Sequence, residues 1–253
     1  MKMKINFSSD DWIKKHQEIF SQKNSLRYYY FDIFGFLIKK HLLQGPSLEL
    51  GSGPGFLSRI AENVTTSDII NLPGIQVVCD AHELLFPDGY FSNVFFVDVL
   101  HHLHSPLKCF CEISRILKPG GKLIIIEPYT TPLSRIFYKY IHHEECYRPD
   151  NVWNCAFPPD KKPMEGNSEI PRACLVEKNG PITGDTPASG LRLEKLIPFA
   201  GLSYLLTGGF RSWQVPLPLI QTLYFIEEAT LRLWAPLAAT RCFAVLKRPE
   251  KHS

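Results

Sequence analysis

Leu48-Glu49-Leu50-Gly51-Ser52-Gly53-Pro54-Gly55-Phe56 decides how this chain is organised. Pro46 to Leu50 has the length and apolar character of a short strand, and three alternating glycines then stop it. Glycines at 51, 53 and 55 permit backbone conformations that a Cβ forbids and let a ligand touch main chain. Pro54 suits the first position of a helix, where its missing N–H costs nothing, and Phe56, Leu57, Ile60 and Ala61 follow at helical spacing. The expected unit is strand, glycine turn and helix, with free N–H groups pointing back at the turn, where an anion is favoured. Phe56 stands where a dinucleotide fingerprint needs its last glycine, which argues against a pyrophosphate. Glu49 argues the same way: a carboxylate just before the glycines suits a ligand that carries an ammonium group.

The 253 residues are 45% apolar and 21% charged, enough for one domain with a full core and insertions. A net charge of +3, from 28 basic and 25 acidic residues without a long run of one sign, leaves no electrostatic footprint for nucleic acid. Seven cysteines, at 79, 109, 111, 146, 155, 174 and 242, form no C-x-x-C pair and follow no secretory signal, so the expected location is a reducing cytoplasm. Two uncharged stretches, 196–210 and 212–226, fall short of the roughly 18 residues that span a bilayer. They are expected as core or substrate lid in preference to a surface that touches lipid.

Around the turn, the other elements fall in order. Val64 to Asp68 is a β-branched second strand ending in a carboxylate that can accept ribose hydroxyls. Ile75 to Cys79 is a third strand, and only 69–74 lie between the two, too few for a crossover helix of about ten or more residues. Asp80-Ala81 follows, and Val94 to Val97 reads as a central parallel strand, apolar on both faces. Asp98 and then His101-His102 leave its carboxyl end, where ligands sit in open α/β sheets. Ser105-Pro106 opens a helix with Leu107, Phe110, Cys111 and Leu117 on one stripe, and Lys118-Pro119-Gly120-Gly121 turns into a fifth strand, Lys122 to Glu127.

The acid-flanked turn Glu49-x-Gly51-x-Gly53-x-Gly55 resembles the first motif of the class I S-adenosylmethionine-dependent methyltransferases. Asp80 to Pro128 resembles the type 11 methyltransferase pattern: strand, His-His-Leu, helix, Lys-Pro-Gly-Gly and strand, in that order. Along its length the chain is similar to a bacterial branch of that family with a His142-His143-Glu144 insertion and a Gly208-Gly209-Phe210 element. The resemblance implies an α/β fold, a doubly wound, mostly parallel seven-stranded Rossmann-like sheet. It implies one domain with a helical lid over 1–44, a cofactor-binding core over 45–128, a cap over 129–190, and a sheet-completing segment with a helical insertion over 191–253. S-adenosylmethionine is the implied cofactor. Glu49, Gly51, Ser52, Gly53 and Gly55 would meet its methionine end, Asp68 its ribose, Asp80 and Ala81 its adenine, with Asp98 at the fourth-strand exit and Arg27 and Tyr28 to Tyr30 in the lid.

Beyond Glu127 the expected elements are a helix from Pro132 to His143 and, over 156–190, an irregular insertion holding six of the twenty prolines. A sixth strand is expected over Tyr204 to Phe210, a helix over Leu217 to Trp234, and a last, antiparallel strand over Arg241 to Lys247. Methyl transfer is an in-line displacement in which positioning supplies much of the rate and a base is optional. His101 and His102 are the first candidates for that base, and His143 in the cap is the second. His142, His143, Glu144, Cys146 and Cys155 lack the paired spacings of zinc ligands, so no metal is expected. The expected acceptor is a small or lipid-like molecule methylated at oxygen or nitrogen. The rival readings are an NAD(P)-dependent oxidoreductase and a non-catalytic methyltransferase-like binding module.

Overall fold

A computed structural model describes residues 9–53, 55–138, 140, 145–158, 161, 165–178, 180–183, 187–211 and 213–250. Seven strands form one sheet: β1 (Ser47–Leu50), β2 (Val64–Asp68), β3 (Val77–Val78), β4 (Phe91–Val97), β5 (Leu117–Pro128), β6 (Arg192–Phe199) and β7 (Arg241–Lys247). Their order is β3-β2-β1-β4-β5-β7-β6. β1 to β5 pair in parallel, and β7 lies antiparallel between β5 and β6. This is the expected mostly parallel sheet with its reversed last strand.

Alternation along the central strands divides the core. Leu48, Leu50, Phe96, Leu123 and Ile125 face one side, packed with Phe110, Trp153 and Ile170. Phe95, Ile124, Ile126 and Phe243 face the other, under Phe20, Tyr29, Phe34 and Ile38 of the N-terminal helices. Those helices are α1 (Ser9–Gln22), α2 (Asn24–Arg27) and α3 (Gly35–His41), with a π-helical stretch, Tyr28–Phe34, between the last two. α4 (Pro106–Ile116) lies on the first face, and α8 (Leu217–Ala238) joins the second through Ile220. No helix among the described residues is long and apolar enough to cross a membrane.

Four expectations are corrected. The helix after the glycine turn is a single 3-10 turn, Leu57–Arg59, because β2 begins at Val64 and Asn63, at φ 54°, turns the chain before a second helical turn can form. The third strand shrinks to Val77–Val78 on the sheet edge. The sixth strand is Arg192–Phe199, not 204–210; as an edge strand it tolerates Pro198 and half-exposed charges, which hide it from a search for apolar runs. Residues 204–210 instead hold the end of a short helix, α7 (Leu202–Leu205), and turns in which Gly208 and Gly209 have positive φ. The stretch 156–190 contains α6 (Glu169–Val176), whose Ile170, Ala173, Cys174 and Leu175 are core residues, because Pro171 sits in its first turn where no N–H is needed. The helix after β5 opens at Pro132 as expected: α5 (Pro132–Phe137) is followed by π-helical Tyr138 and Tyr140, and His142, His143 and Glu144 lie outside the described residues.

Candidate active site

The sheet's carboxyl edge opens into a cavity of about 2040 Å³. Glu49, Gly51, Ser52, Gly53, Asp68, Asp80, Ala81, Asp98, His101 and His102 all line it, as does Tyr30, whereas Gly55, Arg27, Tyr28 and Tyr29 do not. Gly55 closes the turn, its N–H donating to the Ser52 carbonyl at 2.7 Å. All three glycines have positive φ. At Gly51 a Cβ would also stand 2.6 Å from Val99 Cγ2, whereas at Gly53 and Gly55 it would meet no atom within 4 Å. The turn is a backbone cradle open on the side where a ligand would lie.

Ser52 locks the cradle to β2: its N–H donates to the Ser67 carbonyl at 2.9 Å, and its hydroxyl accepts from the Ser67 N–H at 3.1 Å. Asp68 accepts from the Gly53 N–H at 3.0 Å on one oxygen and from the Ile70 N–H at 3.1 Å on the other, so each keeps acceptor capacity for a hydroxyl. Glu49 alternates with Leu48 and Leu50 and therefore points toward the face covered by the N-terminal helices. It is 4% exposed, and among the described residues its Oε2 has no hydrogen-bond partner. Burial pushes its carboxyl up to about 8; the Ser52 side chain opposes this and the Asp68 charge adds to it. A cationic group beside Oε2 would satisfy that oxygen and restore the ionised form, so the site suits a ligand that carries an ammonium group. Asp80 accepts from the His82 N–H at 2.8 Å and faces its ring at 2.6 Å. Burial alone would raise its carboxyl, but the His82 contacts outweigh this and hold it below the usual range.

The opposite wall begins at Asp98, a non-glycine residue at φ 60° where β4 ends. Backbone strain of this kind persists when surrounding contacts hold it. Here Arg241 Nη1 donates to one Asp98 oxygen at 2.5 Å and the Tyr30 hydroxyl to the other at 3.2 Å. Burial would raise the Asp98 carboxyl, but the Arg241 charge outweighs it and lowers it. Burial, and then the Asp98 charge, hold the Tyr30 hydroxyl well above its ordinary range. A 3-10 turn, Leu100–His102, then brings the two histidines in with ring centroids 3.9 Å apart. His101 Nδ1 lies 2.7 Å from Glu127 Oε2, and His102 Nδ1 lies 3.0 Å from the Glu165 carbonyl. Glu127 Oε1 accepts from the Val99 and Leu100 N–H groups at 2.5 and 2.6 Å. Ligand atoms of Asp98, His101 and Glu127 lie within 4.8 Å of one another. The Arg241 ion pair, the two backbone N–H groups and the His101–Glu127 contact engage these carboxylates, and the Arg241 cation opposes a second one.

The N-terminal helices meet the cradle through aromatic rings. Phe56 stacks on Phe20 at 3.8 Å, packs edge-on to Tyr30 at 5.0 Å and lies parallel to Phe210 at 6.2 Å. Lys23, buried beside them and lowered to about 8 by that burial, donates to the Thr207 and Gly209 carbonyls at 2.9 and 2.7 Å. Sequence reasoning passed over Glu127 and Arg241 as site residues. The only signal was a charge at each end of an apolar strand, Ile124 to Ile126 before one and Cys242 to Leu246 after the other.

Residues 48–125 match the family model of the type 11 methyltransferase domain. The ubiquinone/menaquinone biosynthesis C-methyltransferase UbiE of Bordetella avium (strain 197N) is 44% identical over 69 residues, 27% of this chain and 26% of that protein. The UbiE protein of Proteus mirabilis (strain HI4320) is 37% identical over 70 residues, 26% of this chain and 28% of that protein. The match thus spans about a quarter of these curated relatives. Among solved structures, a chain from the complex between the Haloferax volcanii Trm112 methyltransferase activator and a methyltransferase shares the fold over 96% of both chains, with a TM-score of 0.53 at 14% identity. The segment that the family model matches runs from β1 into β5 and carries the glycine cradle with Asp68, Asp80 and Asp98, and over that segment the chain is similar to the type 11 methyltransferase domain.

Proposed function

We propose that this protein transfers a methyl group from S-adenosylmethionine to a small or lipid-like acceptor. The observation that carries the reading is the buried, unpartnered Oε2 of Glu49 beside an open glycine cradle, in the same cavity as His101 and His102. Glu49 would hold the ammonium, the backbone of Gly51 to Gly53 the rest of the methionine end, Asp68 the ribose hydroxyls, and Asp80 with the Ala81 backbone the adenine. When bound, the cofactor supplies an electrophilic methyl on a sulfonium. The chain's own residues do the rest: the cradle and the lid aromatics fix direction, and the walls exclude water, so alignment can contribute up to about 7 to 11 kcal/mol.

The cavity exceeds the roughly 300 to 1,000 Å³ of a single drug-sized ligand, which leaves room for a second molecule. Phe137, Tyr138, Tyr147, Phe157 and Pro158 line it from the segment 129–190, which supports a cap role for that segment; Phe157 is also part of the core. An acceptor with an apolar body fits such walls. Carbon joins oxygen and nitrogen as the acceptor atom, because the UbiE relatives are C-methyltransferases of quinone biosynthesis. His101 and His102 are the candidate bases for an acceptor that carries a removable proton.

Calorimetric titration tests this reading. S-adenosylhomocysteine should bind and NADH should not, and Asp68→Ala should weaken the first by about tenfold, the loss of a charge-assisted hydrogen bond. NADH binding without S-adenosylhomocysteine binding would overturn the proposal, and an Asp68→Ala variant of unchanged affinity would remove the ribose assignment.

A further inference from the structure

Glu127 does not line the cavity, yet it determines what His101 can do there. Its carboxyl group is fully buried at the end of β5. One oxygen receives the Val99 and Leu100 N–H groups, which leaves the other to face His101 Nδ1 at 2.7 Å. A carboxylate so arranged is acceptor-only, so the ring's proton belongs on Nδ1, and Nε2 is then the acceptor nitrogen. Lining residues place that ring on the wall of the cavity. His102 Nδ1 faces a backbone carbonyl, that of Glu165, at 3.0 Å.

We propose that Glu127 is the positioning residue that makes His101 the base of this site, and that the acceptor it takes is one that yields a hydroxyl proton on methylation, such as a hydroxylated ring. This rests on the methyltransferase reading above. In the step, the acceptor atom bonds the methyl carbon, the electron pair of the broken carbon–sulfur bond stays on sulfur, and the acceptor's proton ends on His101 Nε2. The positive charge lost at sulfur reappears on the imidazole, next to the Glu127 carboxylate.

Glu127→Gln separates this role from a structural one. Its amide oxygen can still receive the two backbone N–H groups, but its NH₂ then faces Nδ1, which must accept, and the ring's proton moves to Nε2 where it blocks base action. Nitrogen-15 NMR of the histidine-labelled protein with S-adenosylhomocysteine should show His101 as the Nδ1–H tautomer in the parent and the Nε2–H tautomer in E127Q. Turnover of an alkylhydroquinone with S-adenosylmethionine should fall by about 10² to 10⁴ in the variant, with S-adenosylhomocysteine affinity within about threefold. An Nε2–H ring in the parent overturns the proposal even where the variant fails to fold, and so does a tautomer or turnover that the variant leaves unchanged. A parent that binds S-adenosylhomocysteine but does not methylate the hydroquinone overturns the acceptor class. A parent that does not bind S-adenosylhomocysteine overturns the methyltransferase reading instead.

Discussion

Glu49 and Glu127 are the same side chain in nearly the same place, and they are in opposite states. Each sits near the carboxyl end of a central parallel strand, β1 and β5, with β4 between them. Alternation points Glu49 to the face covered by the N-terminal helices and Glu127 to the face that carries α4 and α6. Both are buried, but Glu127 faces two backbone N–H groups and an imidazole while Glu49 keeps an oxygen with no partner. A buried carboxyl group supplied with donors by its own protein holds that protein's geometry. One left without is costly to ionise until something else supplies the charge. The difference divides the site into a wall that is finished before any ligand arrives and a wall that a ligand completes.

The strongest way to break this contrast is to remove each acid and measure the folded protein alone. Glu127→Ala strands the Val99 and Leu100 N–H groups, each worth about 1 to 3 kcal/mol when left unpaired in the interior. The variant should lose about 3 kcal/mol or more in urea unfolding; parent-like stability would mean that Glu127 does not hold the turn. Glu49→Gln should behave oppositely. The folded protein holds the Glu49 proton up to about pH 8, whereas an ordinary carboxyl releases it near 4.5. Between those pH values the unfolded chain binds fewer protons than the folded one, so Glu49 makes parent stability fall as pH rises from about 4.5 to about 8. Above that range its contribution is level. Glu49→Gln removes this slope, and unfolding at pH 5 and pH 8 measures it; identical slopes in the two proteins would show that the acid is not held protonated. The same variant should bind S-adenosylhomocysteine about 10 to 100 fold more weakly, as expected for a hydrogen bond to a charged group. Parent binding at pH 7 should also release a proton, seen as a dependence of calorimetric heat on the buffer.

Glu49 was legible in the sequence because its meaning is local: an acid, three glycines and an apolar strand within nine residues. β4, β5 and β7 were legible on similar grounds, as apolar runs bounded by glycine, proline or charge, β2 as a β-branched run ending in a carboxylate, and α4 as an apolar stripe opened by Ser105-Pro106. The helix expected after the cradle failed because spacing describes which residues are buried, here Leu57 and Ala61, but not how soon the next strand takes over. β6 was hidden by Arg192, Glu194 and Lys195, which an edge strand can leave partly solvated. α6 was hidden by counting Pro171 as a breaker when it opens the helix. Glu127 and Arg241 were missed as site residues because their partners come from elsewhere in the fold: Arg241 meets Asp98 across 143 positions of chain. Nothing in local pattern marks such a pair. The site was therefore readable where backbone makes it and opaque where distant side chains make it.

Asp80 offers the finest test, because it stands between the two glutamates. Its side chain is 51% exposed, and one oxygen is already engaged by the His82 N–H and ring. Water can serve the other, so neither removing nor meeting its charge has much to gain, and exposed ion pairs of this kind are worth about 0 to 1 kcal/mol. Asp80→Asn keeps the shape and one acceptor oxygen, which can still cap the His82 N–H. Its stability should stay within about 0.5 kcal/mol of the parent, and its affinity for S-adenosylhomocysteine should fall by no more than about fivefold, matching a contribution of 1 kcal/mol or less. Calorimetry on Asp80→Asn and Glu49→Gln side by side ranks the two acids. An Asp80 effect as large as that of Glu49 would mean that an acid's contribution to cofactor binding does not follow how far the protein has already satisfied it, and the contrast between Glu49 and Glu127 would then be a matter of position alone.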